Sequence, residues 1–132
     1  MGEGQRPAQI LIVEDDYFIS DILMDDLTAR GYAVQVAGNA RMLGRLMETY
    51  PPDLILLDIM LPGMDGGEIG HLLRVNPETA TIPVLVVSAD RRAAEKAASF
   101  HAEGYIAKPF DLESLAAQIA ELLARPPRPH AT

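Results

Sequence analysis

The chain has 132 residues, with 19 acidic against 11 basic side chains for a formal net charge of -8, 48% apolar content and no cysteine. This is one domain's worth of chain, since domains commonly run ~100–150 residues, and it excludes a disulfide framework and any thiolate metal site. The acidic balance speaks against non-specific nucleic-acid binding, which needs clustered Lys and Arg to displace counterions from phosphates.

Residues 1–8 are Gly-rich and polar, and a flexible N-terminal segment is expected there. A first strand is predicted over residues 10–13, and three acids follow it, Glu14, Asp15 and Asp16. Asp16 is the expected N-cap of a helix over 17–30, which carries Phe18, Ile19, Ile22, Leu23 and Leu27 on one face and ends at Gly31. A strand over 32–37 leads to a helix over 40–50, with Met42, Leu43, Leu46, Met47 and Tyr50 inward and Pro51-Pro52 as its stop. The third strand, 54–57, ends at Asp58, and Pro62-Gly63 and Asp65-Gly66 behind it are turn signals. A short helix over 67–74 turns Ile69, Leu72 and Leu73 inward. The fourth strand, 84–87, ends at Ser88. The helical segment 91–100 has only Ala93, Ala94, Ala97 and Ala98 on its apolar side, with Phe100 at its end. A fifth strand over 105–107 ends at Lys108-Pro109, and the helix over 112–124, capped by Asp111, buries Leu115, Ile119, Leu122 and Leu123. Residues 125–132 form a proline-rich tail. Gly44 and Gly70 lie inside helices, each at a cost of ~1 kcal/mol relative to alanine, and His71 is expected to be solvated.

Strands that are apolar on both faces and alternate with helices imply an α/β fold, a doubly wound (βα)5 five-stranded parallel sheet. Ligands of such sheets sit outside the carboxyl ends of the strands, so Glu14, Asp15, Asp58, Ser88 and Lys108 should converge on one rim. Carboxylates brought together repel one another unless a cation is present, and an oxygen-only set without His or Cys suits Mg²⁺, with Mn²⁺ the other hard ion of choice. A hydroxyl and an ammonium beside them are what a transferring phosphoryl group needs. Lysine is scarce, occurring only at 96 and 108, which adds weight to Lys108.

The stretches Ile-Leu-Ile-Val-Glu-Asp-Asp, Pro-Asp-Leu-Ile-Leu-Leu-Asp-Ile-Met-Leu-Pro-Gly-Met-Asp-Gly, Val-Leu-Val-Val-Ser-Ala and Gly-Tyr-Ile-Ala-Lys-Pro-Phe resemble the CheY-like receiver domain of two-component response regulators. The resemblance covers residues 9–124. It implies that Asp58 is the phosphoacceptor, that Glu14, Asp15, Asp58 and the backbone carbonyl of Met60 bind Mg²⁺, and that Ser88 and Lys108 contact the phosphoryl oxygens. Tyr105 matches the aromatic that turns inward when the hydroxyl moves, and the Lys108–Pro109 bond is expected to be cis. Ser88 stands where threonine is more frequent, and His101 where glycine is usual. The positions of Met60 and Asp90 influence phosphoryl lifetime in such domains, with Asp90 expected to orient the attacking water and Met60 to hinder it.

The resemblance further implies a single-domain response regulator that is not an enzyme in the ordinary sense. Its partners would be a sensor histidine kinase or histidine phosphotransfer protein and a downstream protein at the face of the fourth helix, fifth strand and fifth helix, with no nucleic acid and no membrane. The expected localisation is cytoplasmic, and the expected state a monomer or a phosphorylation-linked dimer. A haloacid dehalogenase-type hydrolase would need an aspartate at position 60, a flavodoxin a phosphate loop after the first strand, and a P-loop nucleotidase Gly-x-x-x-x-Gly-Lys, none of which is present. The alternative is a receiver fold that docks partners without being phosphorylated.

Overall fold

A computed structural model describes residues 6–49, 51–61 and 64–126. In chain order its elements are β1 (Gln9–Val13), α1 (Tyr17–Ala29), β2 (Ala33–Ala37), α2 (Ala40–Thr49), β3 (Leu54–Leu57), β4 (Met60–Leu61), β5 (Met64–Asp65), α3 (Gly66–Val75), β6 (Val84–Ser88), α4 (Ala93–Ser99), β7 (Gly104–Ala107) and α5 (Leu112–Ala124). The main sheet has the order β2-β1-β3-β6-β7, with every pair parallel. Parallel neighbours need crossover helices, and the alternation of strand and helix in the sequence supplies them. The antiparallel pair β4–β5 is an addition to the expected elements.

The two-residue period of the strands divides the interior into two cores. Leu11, Val13, Ile55, Leu57, Val84 and Val86 face one way, against Leu43 of α2, Ile69 and Leu73 of α3, and Ala93, Ala97 and Phe100 at α4. Ile10, Ile12, Leu54, Leu56, Leu85 and Val87 face the other, against Leu23 and Leu27 of α1 and Leu115, Ile119 and Leu122 of α5. The edge strand β7 is only half buried on its inner positions, because nothing in the sheet lies beyond it.

Caps formed where the sequence placed them. Asp16 accepts from the N–H groups of Phe18 and Ile19, and Asp111 from that of Ser114, while Gly31 takes φ 100° beyond α1. The inward faces are narrower than their apolar stripes. Phe18 is 75% exposed, Leu72 57%, Met42 44% and Ile22 40%, and Ala94 and Ala98 also face outward. Each helix crosses the sheet on one line of contact, and residues at the flank of the stripe lie beyond its reach. Helix α4 is shorter than expected, beginning at Ala93, with Arg91 and Arg92 in the turn before it. Residues 1–5 of the N-terminal segment, Tyr50, Pro62-Gly63 and residues 127–132 of the tail lie outside the described residues.

Interior glycine and histidine find their explanation between α3 and α4. The Phe100 ring lies directly on Gly70, so close that an added Cβ would meet its Cδ1 and Cε1 at 2.4 Å. His71 is exposed and stands edge-on to the same ring, with centroids 6.1 Å apart. His101, just past α4, takes the left-handed φ of 57°, which explains why glycine suits that position.

Candidate functional site

The site is laid out by the ladder continuing one residue past the strands. The Glu14 N–H donates to the Ala37 carbonyl, the Asp58 N–H to the Val13 carbonyl and the Lys108 N–H to the Ser88 carbonyl, each at 3.0 Å. Register places Val13 beside Leu57 and Ser88 beside Ala107, so the residues that follow stand side by side on one rim. The five residues expected to converge do so because parallel strands end together at their carboxyl ends.

Lys108 is the hub. Its ammonium donates to Glu14 Oε1 at 2.7 Å and to Asp58 Oδ2 at 2.9 Å. The second Asp58 oxygen accepts from the Met60 N–H at 2.9 Å, and the second Glu14 oxygen from the Asp16 N–H at 3.2 Å. Glu14 and Asp58 are only 4% and 6% exposed, whereas Asp15 is exposed. Burial pushes the Glu14 carboxyl above its ordinary range, against the pull of the Lys108 hydrogen bond. Burial also works against the Lys108 ammonium, but hydrogen bonds to Glu14 and Asp58 outweigh it and hold Lys108 above its usual value.

One oxygen from each of Glu14, Asp15 and Asp58 lies within 4.8 Å of the others. Three carboxylates against one ammonium leave the rim short of positive charge, and an all-oxygen set at this spacing fits a hard divalent cation.

Ser88 is fully buried at the end of β6, and its Oγ accepts from the Asp90 N–H at 3.1 Å. The Lys108–Pro109 bond is cis, as expected. Tyr105 lies on the edge strand and is 37% exposed, turned outward rather than packed in the core. The side chain of Met60 is exposed beside the acceptor position.

Asp90, expected to orient water, is itself held in place by two hydrogen bonds. Its Oδ1 accepts from the Arg92 N–H and its Oδ2 from the Lys96 ammonium, both at 2.8 Å, so both oxygens are engaged. The Lys96 hydrogen bond holds its carboxyl below the usual range. A second group escaped the sequence reading altogether. Arg74, at the end of α3, donates to the carbonyls of Phe100, Ile82, Ala80 and His101 and pairs with Glu103 at 2.6 Å. Glu103 in turn accepts from the Val84 N–H at 2.8 Å. The nearest of these partners lies six residues away in sequence and the farthest 29, so no local period announces them.

Comparison with known proteins bears on this arrangement. The chain is 40% identical over 122 residues to the DNA-binding dual master transcriptional regulator RpaA of Synechocystis sp., covering 91% of this chain and 51% of that protein. It is 36% identical over 121 residues to the response regulator MprA of Mycolicibacterium vanbaalenii, covering 90% and 52%. The chain thus spans about half the length of these curated relatives. Among solved structures, the signal receiver domain of a signal transduction histidine kinase from Syntrophus aciditrophicus superposes with a TM-score of 0.81 at 32% identity, over 89% of this chain and 90% of that one. With one relative named for DNA binding, the expectation of no nucleic-acid partner finds no support here. Among the described residues no helix is long and apolar enough to cross a membrane. The response regulator receiver domain model matches residues 10–120, and a match of that extent on a sheet of this strand order means that the chain belongs to the response regulator receiver domain family.

Proposed function

We propose that this receiver takes a phosphoryl group onto Asp58 from the phosphohistidine of a histidine kinase or phosphotransfer protein and uses it to reshape a protein-docking face. The observation that carries the reading is Lys108 bridging Glu14 and Asp58 beside an oxygen cluster that fits a divalent cation. An Asp58 oxygen attacks phosphorus in line, the N–P bond of the donor breaks, and its imidazole leaves with the electron pair. The Met60 N–H and the Lys108 ammonium hold one carboxylate oxygen each, so the acceptor is oriented before the donor arrives. Mg²⁺, held by Glu14, Asp15, Asp58 and the Met60 carbonyl, would supply positive charge opposite the transferring oxygens. Because the carboxylate is consumed, the chain acts as a phosphoacceptor that slowly loses its own phosphoryl group to water.

The acyl phosphate then biases two states. Ser88, buried within the rim, donates its hydroxyl proton to a phosphoryl oxygen, and Tyr105, now on the outside, moves into the space vacated. The face formed by α4, β7 and α5 changes with them and is the docking surface. The test is intact-mass spectrometry after acetyl phosphate and Mg²⁺. One added phosphoryl group is expected in the wild type and none in Asp58→Asn. A wild type that gains no mass refutes the reading and leaves a receiver fold that docks partners without phosphorylation.

A further inference from the structure

Helix α4 is held differently at its two ends. At its C-terminal end the Phe100 ring rests on Gly70, and Arg74 donates to the carbonyls of Phe100 and His101, each at 3.1 Å. At its N-terminal end the cap residue Arg92 makes no side-chain capping bond, and the inner face offers only the small side chains of Ala93 and Ala97. What ties that end down is Asp90, whose carboxylate accepts from the Arg92 N–H and from the Lys96 ammonium one turn further along. The backbone N–H of the same Asp90 donates to Ser88 Oγ. A chain of two hydrogen bonds therefore runs through Asp90 from Lys96, one-third exposed on α4, to a hydroxyl with no exposure at all.

We propose that Lys96 is a positioning residue that holds Ser88 in its resting place by gripping Asp90. The inference rests on the reading of Asp58 as phosphoacceptor and of Ser88 as the hydroxyl that follows the phosphoryl group. Drawing Ser88 toward Asp58 must carry the Asp90 N–H along or break its bond, and the grip of Lys96 on the Asp90 carboxylate resists both. Asp65, the N-cap of α3, adds a second negative charge toward Lys96 and favours the ammonium at this place. Linkage makes the effect reciprocal at equilibrium, so any partner that engages Lys96 alters the affinity for a bound phosphoryl mimic by the factor by which that mimic alters the partner's own binding.

The pair is partly exposed and solvent screens it, so releasing it should shift the equilibrium by ~1.5–5-fold. Two readouts test this in wild type, Lys96→Met and Lys96→Arg. One is the affinity for beryllofluoride with Mg²⁺, a mimic of the aspartyl phosphate; the other is the hydrogen-exchange rate of the Asp90 amide. Lys96→Met is expected to bind beryllofluoride ~1.5–5-fold more tightly and to exchange the Asp90 amide faster. Lys96→Arg, which keeps the charge, should return both toward wild type, and Lys96→Met/Asp90→Asn should go no further than Lys96→Met alone. Unchanged or weaker beryllofluoride binding in Lys96→Met, or an unchanged Asp90 amide, overturns the proposal. A wild type that binds no beryllofluoride refutes the phosphoacceptor reading instead, a failure distinct from tight binding that ignores Lys96.

Discussion

Replacing Gly70 by alanine sets two effects of opposite sign against each other. Helix propensity alone favours the change by ~1 kcal/mol, because glycine is the weakest ordinary residue in a helix interior. The structure says otherwise. An alanine Cβ would stand 2.4 Å from Phe100 Cδ1 and Cε1 and 2.5 Å from Cγ, where carbon atoms prefer ~3.5–4.0 Å. The ring would have to retreat by ~1 Å or more, and since Phe100 is 1% exposed within the core shared by α3, α4 and the sheet, it has no free direction. Overpacking costs ~1–3 kcal/mol, and with the ring confined on all sides the upper part of that range, ~2–3 kcal/mol, applies, so Gly70→Ala should be destabilised by ~1–2 kcal/mol after the propensity gain is subtracted. Urea denaturation gives the measurement. Gly44→Ala is the control, since nothing lies within 4 Å of an added Cβ there, and it should be stabilised by ~0.5–1 kcal/mol. Phe100→Leu in the Gly70→Ala background should cost less than Phe100→Leu alone, the sign of a direct clash. A Gly70→Ala protein as stable as wild type, or more so, refutes the packing argument.

Gly31→Ala has open space around it but a φ of 100°, so its cost is purely one of backbone conformation and should be ~1–2 kcal/mol by the same denaturation assay. Arg74→Met removes one partner of a mostly buried ion pair together with donors to four carbonyls and should lose ~3 kcal/mol; a loss below ~1 would show that the group is structurally idle. Glu14 has a folded-state pKa raised above 4.5, so its charge burdens the cation-free fold above that raised value, and the burden is relieved as pH falls toward 4.5. Stabilisation by Mg²⁺ has the opposite sign, being ~1.4 kcal/mol at ten times the dissociation constant near neutral pH and shrinking on acidification as the proton competes for Glu14. Thermal melts with and without Mg²⁺ from pH 7.5 down to ~4.5 check this, and a pH-independent difference refutes it. Met60→Asn, which replaces an exposed apolar side chain beside the acceptor with one able to hold water, should shorten the life of phosphorylated Asp58 in radiolabel decay, whereas unchanged decay would show that Met60 does not gate water.

Much of this molecule is local in origin and was therefore legible in the amino-acid sequence. Strand runs such as 10–13 and 54–57, apolar at every position, mark central parallel strands because both faces must be covered. Asp16, Asp111 and Gly31 sit where caps must sit, and capping is decided within a few residues. Glu14, Asp58 and Lys108 follow strands and Ser88 ends one, and parallel order alone brings strand ends to one rim. Tertiary packing decided the rest. Which part of each apolar stripe is buried depended on where the helix meets the sheet, leaving Phe18, Ile22, Met42 and Leu72 outside. The fit of Phe100 onto Gly70, the gathering of distant carbonyls by Arg74, and the turning of Asp90 toward Lys96 join groups whose positions are set by different elements. No period or cap connects such partners along the chain. Their contacts exist only once the elements that carry them have packed, because close approach in three dimensions, not spacing in sequence, selects them.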